Sequence, residues 1–93
     1  MTNPSRTDVL PIQEVVAKAF PSAWLDGLVL SSRPGEVTVA LLDGGARTLA
    51  TGAAPAVGEP VAVHPVAELV AVGGSWHSAR PVAEVEAAAT AEV

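Results

Sequence analysis

The stretch from Leu28 to Trp76, LVLSSRPGEVTVALLDGGARTLATGAAPAVGEPVAVHPVAELVAVGGSW, alternates short runs of Val and Leu with turns rich in Gly and Pro. Strands of this length, separated by turn residues every roughly 8–12 positions, are typical of a small closed β-barrel or sandwich. Nothing in the stretch has the pattern of a catalytic site. The function is therefore expected to lie in what the barrel binds.

The turns divide this region into five predicted strands. Pro34-Gly35 suits the two central positions of a β-turn, and Asp43-Gly44-Gly45 closes a tight hairpin. The predicted strands are Trp24–Ser32, Glu36–Leu42, Ala46–Thr51, Pro60–His64 and Glu68–Gly73. The segment from Gly73 to His77 is predicted to leave the barrel. The expected fold class is all-β, a small five-stranded barrel of OB-like or SH3-like strand order with one short N-terminal helix and flexible termini.

A short helix is predicted ahead of the barrel, within residues 9–20. Pro11 suits a first helical turn and Pro21 ends the segment. Apolar side chains recur at three- and four-residue spacing, which places them on one helical face. They are Ile12, Val15, Val16, Ala19 and Phe20. About ten residues are too few for a stable isolated helix, so this one is expected to dock on the barrel or on a partner.

Two of the predicted strands are apolar on both faces. In the second strand Val37, Val39 and Leu41 share one face, with Thr38, Ala40 and Leu42 on the other. The fifth strand, Leu69-Val70-Ala71-Val72, repeats the pattern. A half-solvated antiparallel strand alternates apolar with polar residues, so something is expected to cover the outer face. The helix is expected to cover part of it and a neighbouring subunit the rest.

The amino-acid composition is also consistent with a surface that a partner covers. The 93 residues form one domain, without cysteine and therefore without disulfides or thiolate metal sites. Charged residues make up 16% of the chain, against roughly 25% in an average soluble domain. Two explanations stay open, a surface covered by another subunit and the Ala- and Val-rich habit of a high-GC genome.

The charge balance argues against several partners. The net charge of −5 and the absence of a basic stripe disfavour nucleic acid, and Phe20, Trp24 and Trp76 are the only aromatic residues for stacking. No apolar run approaches the roughly 18 residues of a membrane span, and the N-terminus has no apolar signal core. The expected product is soluble and made in the cytoplasm.

Residues that could carry chemistry are few. His64 and His77 have no ligand or acid–base partner at a recognised spacing. Ser75-Trp76-His77-Ser78 lacks the Gly-x-Ser-x-Gly elbow of a serine hydrolase. Neither Gly44-Gly45 nor Gly73-Gly74 is followed by a helix and a lysine, so both are interpreted as turns. We expect no enzyme activity, no cofactor and no metal.

Contact with other proteins is the remaining expectation. Trp24 is expected to pack on the helix through Phe20, while Trp76 suits both a barrel cap and a partner anchor. Arg33 at a hairpin tip and Arg47 are reasonable contact residues. The candidate interface residues are Ile12, Val15, Val16, Phe20, Arg33 and Trp76. Residues 1–8 are predicted to be a flexible segment, 9–81 the barrel domain with its helix, and 82–93 an Ala/Glu-rich tail that is either disordered or ordered by a partner.

The order of these elements resembles a known group of proteins. The stretches that carry the likeness are Gly27–Leu30, Pro34–Leu41, Asp43–Gly45, Pro55–Val63 and Leu69–Gly74. They look like the small OB-type barrels in tail, tail-tip, baseplate and head–tail connector proteins of phages that infect actinobacteria. The similarity spans residues 24–74. Two features depart from the pattern: Gly52–Glu59 is too short for the helix common between the third and fourth OB strands, and the first helix and acidic tail have no counterpart.

The resemblance implies a non-enzymatic structural or assembly protein of a phage or phage-like particle. Such a protein would be part of a symmetric assembly in the virion, in the tail, the connector or as capsid decoration, docking on itself or on a larger virion protein. The alternative is a cellular adaptor or small-ligand barrel of an actinobacterium, with a pocket closed by Trp24 or Trp76. A molybdate-type barrel shares the Val-Gly-x-x-Val turn, but the strands here offer few donors for an anion. A nucleic-acid-binding OB-fold is a third, poorer hypothesis.

Overall fold

The computed structural model describes residues 8–82, which form a closed six-stranded antiparallel barrel preceded by a helix. Helix α1 spans Pro11–Ala19, and a single 3₁₀ turn, Pro21–Ala23, leads into the first strand. The strands are β1 Leu25–Arg33, β2 Glu36–Leu41, β3 Ala46–Thr51, β4 Pro60–His64, β5 Leu69–Val72 and β6 Ser75–Pro81. The predicted all-β barrel and the short leading helix are thus confirmed, whereas the described residues form six strands and not five.

The strands close in the order β1-β2-β3-β6-β5-β4, with β4 paired to β1. Two three-stranded meanders, β1–β2–β3 and β4–β5–β6, therefore join edge to edge. The loop 52–59 connects them. Because both lateral seams are paired, the barrel has no free sheet edge.

The sixth strand corrects the prediction that Gly73–His77 leaves the barrel. Gly73 and Gly74 have φ angles of 58° and 88°, the left-handed backbone of a two-residue hairpin, and they return the chain alongside β5. Leu49, Ala50 and Thr51 of β3 then pair with Pro81, Arg80 and Ala79. The sequence Ser-Trp-His-Ser-Ala-Arg-Pro has no β-branched residue, so its strand conformation comes from the two partners that it joins.

The barrel interior is packed with Val, Leu and Ala side chains. On β2 the residues alternate strictly, with Val37, Val39 and Leu41 buried, as predicted. The other interior residues are Val29, Leu49, Ala53, Val61, Val63, Val70 and Ala79. This interior is filled by side chains, so function must be sought on the outside of the barrel.

A second, smaller apolar cluster lies between the barrel and α1. It contains buried Ala17, Ala67 and Leu69, with Val9, Val16, Trp24 and Trp76 packed against them. Leu69 is on the outer face of β5 and yet 0% exposed. The helix therefore covers part of the outer face, as expected from the two-sided apolarity of that strand. No helix within residues 8–82 is long and apolar enough to span a membrane.

Candidate functional site

An aromatic group supports α1 on the barrel. The indole of Trp24 meets the imidazole of His64 edge-on, with ring centroids 5.0 Å apart, and lies 5.2 Å from the indole of Trp76. Trp76 is on the outer face of β6 because its neighbours in the strand, Ser75 and His77, pair with the inward residues Val72 and Val70. Edge-on and tilted geometries are those that aromatic pairs prefer. The two tryptophans thus form the surface on which the helix rests.

His64 joins the helix to the turn after β4 through both ring nitrogens. Its Nδ1 accepts a hydrogen bond from Ala67 N at 3.0 Å, so the proton is on Nε2, which donates to the carbonyl oxygen of Phe20 at 2.9 Å. The side chain is 0% exposed. With both nitrogens occupied, His64 acts as a structural link, and residues 8–82 contain no group of three potential metal-binding side chains.

Gln13 anchors the other end of the helix. Its Nε2 lies 3.1 Å from Ala67 O, 3.0 Å from Glu68 O and 3.3 Å from Ser78 Oγ. Its Oε1 accepts a hydrogen bond from Leu10 N at 2.8 Å, which satisfies a free donor at the helix start. Nearby, the carboxylate of Asp8 accepts from Ser78 N at 3.3 Å. One amide therefore fixes both the position and the rotation of α1.

This rotation leaves the most apolar side of α1 uncovered. The helix turns Gln13, Val16 and Ala17 towards the barrel, with only Ala17 fully buried. Ile12 and Val15, one turn apart and turned away from the barrel, are 61% and 60% exposed. Leu10 and Val66, both close to Ile12, are also more than half exposed. We call Leu10, Ile12, Val15 and Val66 the α1 face.

An open groove of about 430 Å³ runs beside the α1 face. Leu10, Ile12, Val16 and Val66 supply its apolar part. Asp8, Gln13, Glu68, Ser78 and Arg80 supply its polar part. Neither Trp24 nor Trp76 lines this groove. It is therefore not the tryptophan-closed pocket that the sequence predicted for a small-ligand barrel.

The candidate interface residues fall in three places. Ile12 and Val15 are on the α1 face, whereas Val16 is half-buried against the barrel and Phe20, at the helix end, is half exposed. Trp76 is partly buried beneath α1. Arg33 lies at the β1–β2 hairpin, with its Nε 3.5 Å from Glu36 Oε1. The structure therefore brings Ile12, Val15, Val16 and Trp76 to one side of the barrel and places Arg33 elsewhere.

Three residues of this side were not singled out from the sequence. Leu10 and Val66 are isolated apolar residues outside any periodic pattern, so no sequence signal marks them. Gln13 carried a signal, because a Gln at the third helical position is one half of a capping box. Its contacts with residues 67, 68 and 78, more than fifty positions away, depend on the tertiary fold.

Comparisons of this chain with protein-family models, with curated proteins and with solved structures find no match.

Proposed function

We propose that this chain is a non-enzymatic structural protein of a phage or phage-like particle, which docks through the α1 face onto another copy of itself or onto a larger particle protein. The observation that carries the proposal is the exposure of Ile12 and Val15 on a helix that is firmly anchored. Exposed apolar side chains grouped on one rigid element are characteristic of protein-interaction sites.

The anchoring of α1 makes the exposure meaningful. Successive residues of an α-helix are roughly 100° apart about its axis. A rotation of α1 by that angle would turn Ile12 towards the barrel and Gln13 away from it. The hydrogen bonds of Gln13 and the bond from His64 to Phe20 O hold the opposite orientation. Ile12 and Val15 therefore stay exposed in the single chain and are available for contact with a partner.

The assignment to a particle rests on the resemblance of residues 24–74 to phage barrels, together with the low charge content of 16%. Particles purified from the source culture test it. We expect peptides of this chain at a fixed ratio to the major capsid or tail-tube protein, measured by quantitative mass spectrometry. Absence from particles, with the protein abundant in the host lysate, would contradict the assignment.

The docking surface is tested by Val15→Asp in the same particles. Burying a carboxylate in an apolar interface costs desolvation free energy. We therefore expect the incorporation of the variant into particles to fall at least about tenfold, equivalent to 1.4 kcal/mol. Ala50→Asp is the matched control, since Ala50 is exposed on β3 beside Glu36 and Arg80. Equal incorporation of both variants would exclude the α1 face.

The groove favours one alternative, a cellular small-ligand or adaptor barrel. Its volume of about 430 Å³ is within the usual range of small-molecule sites. A ligand that binds the folded state raises the melting temperature with concentration. A rise that Val66→Asp abolishes, for a protein absent from particles, would favour this alternative, since Val66 lines the groove and is exposed.

A further inference from the structure

A second apolar surface lies on β1, separate from the α1 face. Leu28 and Leu30 point outward from this strand and are about half exposed. Leu42 N donates to Asp26 O, and Gly58 N donates to Val29 O, so Leu42 and Val57 flank the two leucines. Leu42 and Val57 are 72% and 67% exposed. We call Leu28, Leu30, Leu42 and Val57 the β1 face.

The two faces are on opposite sides of the molecule. In the closed order β1-β2-β3-β6-β5-β4, strand β6 is three strands away from β1 in either direction. Helix α1 packs outside β5 and β6, against Leu69 and Trp76. The α1 face and the β1 face therefore point in opposite directions, and one copy can contact two others at once.

The two faces differ in the charges that surround them. Lys18 is exposed on α1, one turn after Glu14 and Val15, and it makes no ion pair with the described residues. On the β1 face, Asp26 is exposed beside Leu28, and Asp43 follows Leu42. Arg80 also lies on the α1 side, together with the carboxylates of Asp8, Glu14 and Glu68, so the charge of that side is mixed. Contact between two β1 faces would bring carboxylates together, whereas an α1 face offers Lys18 and Arg80 to Asp26 and Asp43, and this difference favours pairing of unlike faces.

The areas are sufficient for a weak but specific contact. Four side chains with about half of their surface uncovered leave on the order of 300 Å² of apolar area on each face. Since roughly 60% of an interface is apolar, joining the faces buries on the order of 1,000 Å² in total, the lower limit for a specific protein interface. Association is therefore expected at high local concentration.

From these observations we infer that copies of this chain associate head to tail, the α1 face of one copy on the β1 face of the next. The inference rests on the proposed function of the α1 face as a docking surface and names its occupant as a second copy. Contact between two different faces does not close at two subunits, so it builds a ring or a filament.

Mixing two single-face variants tests this arrangement. Val15→Asp disables the α1 face and Leu30→Asp the β1 face, with Leu28→Asp as a second β1 variant and Ala50→Asp as the control. By analytical ultracentrifugation over a wide concentration range, we expect the wild type and Ala50→Asp to exceed the mass of two copies. Each face variant alone stays at one copy, and an equimolar mixture of Val15→Asp with Leu30→Asp reaches two copies and stops.

Three results would overturn the inference: a mixture that stays monomeric, a β1 variant that associates like the wild type, or a wild type that is monomeric throughout. Unfolding curves verify that each variant is folded. The particle experiment is independent of this one. A monomeric wild type whose Val15→Asp variant is lost from particles would refute head-to-tail association and leave the proposed function standing, with a larger particle protein as the partner.

Discussion

At the scale of single residues, Gly27 is a point where β1 and β2 approach each other closely. A Cβ atom added there would lie 2.6 Å from Ala40 O and 2.6 Å from Val39 Cγ1, distances that real Cβ atoms do not reach. Gly27 pairs with Leu41 on one side and Val61 on the other, so β1 has little room to move away. The missing side chain is thus what lets β1 lie against β2 at this point.

We expect Gly27→Ala to destabilise the fold by about 1–3 kcal/mol, because the strands must separate to admit the methyl group. Gly52→Ala is the matched control. A Cβ at Gly52 meets nothing within 4 Å, and the loss of backbone freedom in the unfolded chain makes that change neutral or slightly stabilising. Urea unfolding of both variants measures the difference. Equal stability of the two would show that β1 adapts freely.

His64 shows how residue chemistry and tertiary position combine. The sequence offered no metal-ligand or acid–base partner for it, and the structure supplies two backbone groups, Ala67 N and Phe20 O. A buried imidazole with both nitrogens bonded satisfies the rule that buried polar groups find partners. The residue therefore connects β4, the following turn and the end of α1.

At the scale of elements, α1 is held by polar contacts as much as by apolar burial. The turn 65–68 presents the carbonyl oxygens of Ala67 and Glu68 to Gln13, and Glu68 adopts a left-handed φ of 59°. Glu68 O also accepts a hydrogen bond from Ala79 N at 2.9 Å. The helix, the turn and β6 consequently form one connected unit.

Gln13→Glu is expected to loosen α1 while the barrel persists. The carboxylate keeps an acceptor for Leu10 N but removes the amide donor to Ala67 O and Glu68 O, a loss of about 1–2 kcal/mol. The chain's two tryptophans lie beneath the helix, so their fluorescence should shift to longer wavelength. Gln13→Met, which loses both functions, serves for comparison. Unchanged fluorescence and stability in both variants would mean that apolar packing alone holds the helix.

At the scale of the whole molecule, the residues that stabilise the barrel and those proposed to dock are separate sets. The interior is formed by side chains such as Val39, which is 0% exposed, whereas the α1 and β1 faces consist of residues that are roughly half exposed or more. A surface of this kind can change without loss of the fold. Docking and folding are therefore expected to respond to different substitutions.

Two valine-to-alanine changes test that separation. Val39→Ala leaves a cavity in the closed interior and should lower the free energy of unfolding by about 2–3 kcal/mol. Val15→Ala removes the same atoms from a side chain that is 60% exposed and should change it by less than about 0.5 kcal/mol. Thermal and urea unfolding give both values. A large loss in Val15→Ala would show that the α1 face contributes to the fold of the single chain.

Predictions from the sequence succeeded where local chemistry decides. The strands Ala46–Thr51 and Pro60–His64 have the predicted bounds, and Leu25–Arg33, Glu36–Leu41, Leu69–Val72 and the helix Pro11–Ala19 differ from prediction only by one or two residues at their ends. The sixth strand was missed although Gly73-Gly74 carried a hairpin signal, because the residues after it include no β-branched residue and show no apolar alternation. The segments 1–7 and 83–93 lie outside the described residues, so their predicted flexibility stays a prediction. At their borders, Asp8 accepts from Ser78 N and Val82 N donates to Thr48 O.

The class of the fold, a closed antiparallel barrel with a short leading helix, follows from the sequence alone, because alternation, turn residues and helical spacing are local properties of the chain. The tertiary structure decided which side of the helix meets the barrel. Periodicity places Ile12, Val15, Val16 and Phe20 on one stripe but does not say which part of the stripe will be covered. The hydrogen bonds of Gln13 and His64 decide it, since their acceptors, Ala67 O, Glu68 O and Phe20 O, come together only when the barrel has closed.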